Sequence, residues 1–192
     1  AEVKEGLFDF SFVVPKDLPY SGGNGKINLY AYSDAKGSEP YEAMGVSHAI
    51  CVKPGVGQHS VVDTIPPEIR ELYLGHPNFS MENPIGSTPL FVATLADASG
   101  INLSGTGVGH NMTLVVDGRE DLTFNLNSSY TASEMEAGVG RVLYLLPELP
   151  DGDHTATFTV WDVCNNVTEH SFAFRVRAGQ APTVVESRAR PG

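Results

Sequence analysis

The sequence predicts an all-β protein: an immunoglobulin-like, Greek-key β-sandwich preceded by a partial N-terminal β module. Three observations predict it. Apolar and polar residues alternate in short runs, the period-2 pattern of strands with one buried face. Turn signals separate the runs, including Asp-Gly at 117–118 and again at 151–152. No amphipathic helix of ordinary length interrupts them, since ASEMEA at 132–137 has room for one helical turn at most.

Taken in order, Phe8, Phe10, Phe12 and Val14 alternate as a strand that Pro15 ends. After the turn-rich PYSGGNG, the run KINLYAYS sets Ile27, Leu29 and Ala31 against Asn28, Tyr30 and Tyr32. A third strand is expected from Ala43 to Val52, closed by KPGVG. Three strands seldom form a sandwich unaided, so residues 1–58 read as a module lacking its earlier strands and cut from something longer. Residues 53–62 read as a linker, and DTIPPEI opens a second module that spans 59–178. Seven strands are expected there, at Arg70–Leu74, Leu90–Leu95, Met112–Val116, Leu122–Leu126, Gly140–Leu145, Thr155–Trp161 and Ser171–Val176. The tail 179–192, GQAPTVVESRARPG, reads as an exit linker.

Composition narrows the function. Twelve Lys and Arg stand against 23 Asp and Glu, a net charge of -11, and no basic patch offsets it, so nucleic acid is not an expected partner. No run reaches the ~18 apolar residues of a transmembrane helix. Cys51 and Cys164 fall in different modules, so a disulfide framework does not hold the fold together, and two buried thiols are expected ahead of the alternative, a single bridge formed in an oxidising compartment.

Catalytic patterns are weak. YLGHPN around His76 has the Gly-His pair of a caspase-like peptidase, but Pro77 follows and the next cysteine, Cys164, lies 88 residues on in a D-V-C-N-N turn. A second glycine-flanked histidine, His110 in GVGHN, shows how readily the pattern arises. The six histidines lack zinc-site spacing, and no phosphate-binding loop is present. Trp161 reads as packing beneath a loop. One constellation remains, and it is acidic. In an immunoglobulin-like topology the entry to the first strand, the end of the second and the last hairpin share a pole. Asp63, Asp97, Asp162 and Asn165 should therefore converge, and such oxygens suit Ca²⁺. The competing expectation is that each caps its own turn.

Five blocks carry a family resemblance: DFSFVVPKDLPYSGGNGKINLYAYSD, EAMG, DTIPPEIRELYL, LADASGINLSGTGVGHNMTLVVDG and LPDGDHTATFTVWDVCNN. Together they resemble the carboxy-terminal region of the type IX secretion system sortases, gingipain-type cysteine peptidases of Bacteroidetes. The resemblance implies a parent at the bacterial cell surface, outer-membrane-associated, that removes carboxy-terminal secretion signals from exported cargo and transfers the cargo to a lipopolysaccharide anchor. The family's catalytic His and Cys belong to a domain upstream, so no catalytic residue is carried onto this chain. What is implied here is a non-catalytic structural and docking region. Its partners would be other domains of the parent, secretion-system components and cargo sorting domains, and the tail from Gly179 would lead into the parent's own sorting domain. The alternative is an adhesive, glycan- or Ca²⁺-binding surface module.

Overall fold

A computed structural model describes residues 3–10, 13–16, 25–33, 41–50, 63–105 and 109–179, the side chain of Ile50 excepted. The chain divides into two compact units, Pro19–Ser60 on one hand, and Ala1–Leu18 with Val61–Gly192 on the other. The linker expected at 53–62, Cys51 and the tail beyond Gly179 lie outside the described residues.

In the smaller unit, β1 (Gly25–Tyr32) and β2 (Glu42–Ile50) pair antiparallel, with Leu29 opposite Gly45 and Tyr30 opposite Met44. Its alternation is the one read from KINLYAYS: Ile27, Leu29 and Ala31 are half-buried, while Tyr30 and Tyr32 are exposed and stack on each other.

The described residues of the run beginning at Phe8 form no strand, and Phe12 lies outside them. Residues 8–10 and 13–15 carry no ladder pairing, and the exposed rings of Phe8 and Phe10 stack at 6.2 Å. Alternation specifies which side a residue faces, but a strand also needs an edge to bond with. This segment instead groups with the larger unit, where the Lys16 amide donates to the Val163 carbonyl at 3.0 Å and its ammonium to the Cys164 carbonyl at 2.6 Å.

The larger unit is a sandwich of β3 (Glu68–Leu74), β4 (Leu90–Ala96), β5 (Thr113–Val116), β6 (Thr123–Asn125), β7 (Tyr130–Ala132), β8 (Val139–Leu145), β9 (Gly152–Trp161) and β10 (Val167–Val176). Its sheets run β3-β4-β8-β7 and β10-β9-β5-β6, the immunoglobulin order with one extra strand beside the third. Among the described residues eight strands are present where seven were expected. The strand without a counterpart in the sequence reading is β7, on the other sheet from the extra β6; it is three residues long, too short for alternation to register, and it pairs with β8. Residues 133–138 make a turn rather than a helical one, closed by the Ser133 hydroxyl on the amides of Met135 and Glu136.

The core forms where the sheets face each other. Phe91, Ala93, Leu95 and Val142 meet Leu114, Val116, Ala156, Phe158 and Val160, and the rings of Phe91 and Phe158 lie 5.1 Å apart. β9 shows the rule most clearly, since His154, Ala156, Phe158 and Val160 are all buried and alternate with more exposed residues. Among the described residues, no helix is long and apolar enough to cross a membrane.

Candidate functional site

Three chain segments meet at one pole. β4 runs directly into Asp97, whose amide donates to the Gly138 carbonyl at 2.8 Å. β9 runs directly into Asp162, which opens the tight hairpin to β10 and is closed by its own amide on the Asn166 carbonyl at 3.0 Å. Asp63 lies ahead of β3 and is drawn in by the Asn166 side-chain amide, which donates to the Asp63 carbonyl at 3.1 Å. The Thr168 hydroxyl holds the same approach by donating to the Pro67 carbonyl.

One carboxylate oxygen from each of Asp63, Asp97 and Asp162, three of the four residues read from topology, lies within 4.8 Å of the others. Asp162 is fully buried, Asp97 nearly so, and Asp63 half-exposed. Asn165 stands in the same hairpin in the left-handed conformation, φ +66°, which asparagine tolerates better than most residues.

Turn capping is present at the same three carboxylates. Asp97 Oδ1 accepts from the Ser99 amide and hydroxyl and from the Gly100 amide, at 2.7–2.9 Å. Asp162 Oδ1 accepts from the amides of Cys164 and Asn166, both at 2.8 Å, and its Oδ2 from the Asn166 side chain at 2.6 Å. Asp63 Oδ1 accepts from the Ile65 amide at 2.9 Å. These dipoles offset part of the charge, but among the described residues no Lys or Arg forms an ion pair with any of the three. A cavity of about 350 Å³ opens beside the cluster, lined by Asp63, Asp97, Glu68, Arg70 and Gly138. Burial, and secondarily the charge of Asp97, push the Tyr130 phenol above its ordinary value.

The histidine and cysteine of the peptidase-like pattern do not meet. Cys164 is a buried free thiol in the hairpin at the acidic pole. His76 follows the far end of β3, whose first residue, Glu68, pairs with Ala96 next to Asp97 and whose last, Leu74, pairs with Phe91. Seven strand residues separate those ends by roughly 20 Å. Trp161 is half-buried, with the His110 ring against it at 4.2 Å.

No known family's sequence profile matches the chain, and no curated protein sequence does either. Among solved structures the chain is similar to the crystal structure of dimeric latent PorU from Porphyromonas gingivalis, at 49% identity and a TM-score of 0.62. The match covers 94% of this chain and 16% of that one. An endo-β-1,4-mannanase from Thermotoga petrophila is matched at 19% identity and a TM-score of 0.35, over 58% of this chain and 21% of that one. The second match is too distant in structure to bear on function. The first agrees with the blocks that carry the sequence resemblance and supports a PorU-like type IX sortase region, the chain spanning about a sixth of the length of the PorU it matches.

Proposed function

We propose that this chain is a non-catalytic structural and docking region of a cell-surface, gingipain-like cysteine peptidase that removes carboxy-terminal secretion signals from type IX cargo. The observation that carries the reading is the separation of the Gly-His and Cys pair read from the sequence, with Cys164 buried at one pole and His76 at the other, roughly 20 Å away. A nucleophile and its base must come within hydrogen-bond reach, and a reactive thiol must be accessible. The sandwich supplies what docking needs, a rigid framework of two packed sheets that presents loops at both ends. Pull-down with the immobilised chain tests the docking part. Cargo sorting domains or secretion-system components should be retained above a serum-albumin control, and failure to retain either removes docking and leaves a spacer. The PorU structure is of a latent dimer, so a second copy of the chain belongs among the partners scored.

The acidic pole supports a second reading, Ca²⁺ binding at Asp63, Asp97 and Asp162 with Asn165 beside them. Three carboxylates within 4.8 Å of one another, with no Lys or Arg ion pair to any of them among the described residues, form the oxygen-rich environment that hard cations take. Calorimetric titration should show Ca²⁺ heat, and millimolar Ca²⁺ should raise the melting temperature of the wild type but not of Asp97→Asn. Absence of both heat and shift ends this reading. The glycan form of the alternative has less behind it, because the His110 ring lies tilted against the Trp161 ring, 4.2 Å between centroids, rather than leaving it open as a sugar platform.

A further inference from the structure

His154 begins the buried side of β9, at the end of that strand opposite Asp162. Its ring stacks on Phe174 of β10, with centroids 5.4 Å apart and planes 25° from parallel. Its Nδ1 lies 2.7 Å from Asp117 Oδ2, and its Nε2 lies 2.9 Å from the Pro150 carbonyl oxygen. A carbonyl oxygen only accepts, and so does an ionised carboxylate. The Asp117 carboxyl is ionised at neutral pH. Burial alone would raise it, but the bonds from His154 and the Thr155 amide, with the charge of Arg119, hold it below its ordinary value. A neutral imidazole has one N–H and can serve only one of two such acceptors. The imidazolium serves both.

The other charges around the ring favour the same state. Asp153 adjoins it on β9 and is itself bonded to Arg175 of β10. Burial pulls His154 down, and Asp117, the Pro150 carbonyl and Asp153 together outweigh it, leaving the imidazole above its ordinary value. The segments held here are structural. Asp117 and Gly118 form the left-handed turn leaving β5, with the Asp117 amide on the Thr155 carbonyl at 2.8 Å. Pro150 lies in the connector from β8 to β9, where Asp151 Oδ1 accepts from the Ala178 amide just beyond β10.

We propose that His154 is a pH-sensitive clasp. As an imidazolium it ties the Pro150 connector to the Asp117 turn, and on losing its proton it releases the connector. The neutral ring keeps Nδ1–H on the Asp117 carboxylate, the stronger acceptor, and Nε2 then sets its lone pair against the Pro150 oxygen. The sign follows from linkage. A histidine raised in the folded state contributes stability that is complete below its unfolded value, roughly 6.5, and that disappears as pH rises through the folded one. Asp117, lowered in the folded state, contributes stability lost only as pH falls through its own depressed value. The clasp is therefore tightest at mildly acidic pH, below roughly 6.5 and above the depressed value of Asp117.

Long-range ¹H–¹⁵N spectra of the intact 192-residue chain read the ring directly. Both His154 nitrogens should be protonated at neutral pH, and a ring with one bare nitrogen there overturns the proposal. Asp117→Asn should lower the titration midpoint of His154; a midpoint that stays in place or rises counts against the clasp. Thermal melts from about pH 6 to about pH 9 should fall by about 4 °C more for the wild type than for His154→Gln. Equal slopes would mean that the proton has no structural role. The spectra need no variant, so poor folding of either substitution leaves the central result readable.

Discussion

Phe158→Ala is expected to lower folding stability by about 3–5 kcal/mol. Phe158 is fully buried between the sheets, on β9 beside β5 and against Phe91 of the opposite sheet. Removing it takes away transfer free energy and leaves a cavity that both sheets must flank, because strands locked in register on either side cannot collapse into it. Phe91→Ala should cost a similar amount for the mirror-image reason. The exposed Val167 provides a control, and Val167→Ala should stay within about 0.5 kcal/mol. Urea melts decide the matter. A loss below about 1 kcal/mol for Phe158→Ala would mean that the facing sheets are not the core described here.

Gly138→Ala should follow, at about 3 kcal/mol. Gly138 sits at φ +75°, and a Cβ there would lie 2.3 Å from the Asp97 carbonyl oxygen, a backbone atom that cannot turn aside. Gly118 has a similar φ of +63° but open space around its missing side chain. Gly118→Ala therefore measures the backbone strain alone, about 1 kcal/mol, and the difference between the two variants isolates the contact. Because the Gly138 carbonyl also accepts from the Asp97 amide, the substitution should weaken any Ca²⁺-induced shift as well. Equal losses at the two glycines would show that Asp97 is not held against this turn.

These two positions illustrate what could be read beforehand and what could not. The buried side of β9 is plain in the sequence, since Ala156, Phe158 and Val160 alternate over a long strand and tertiary structure has only to agree with them. Gly138 carries no such signal, because its role depends on the approach of Asp97, a residue 41 positions earlier. The same distinction accounts for β7 and the Phe8 run. β7 exists because β8 offers it an edge, whereas the Phe8 run has the better pattern and no ladder among its described residues. Pattern reports burial of one face; pairing is decided elsewhere in the chain.

The acidic site was legible for a topological reason. Once the strand order is immunoglobulin-like, the end of β4, the approach to β3 and the β9–β10 hairpin must share a pole, which places Asp63, Asp97 and Asp162 together without knowledge of any contact. The double use of these carboxylates was not legible, because capping by one oxygen and clustering by another depends on rotamers. His154 was hidden for a related reason. Its partner Asp117 appears in the sequence only as the first half of an Asp-Gly turn, and the pairing follows from the register of β5 on β9, which sets Val116 opposite Ala156 and carries the next residue toward His154.

The most direct test of the non-catalytic reading is a peptidase assay on the purified chain, with fluorogenic peptides and a thiol-directed probe. The expected result is no turnover, with Cys164 unlabelled until the sandwich is unfolded, as its 4% exposure requires. Turnover by the folded chain that Cys164→Ser abolishes would contradict the account.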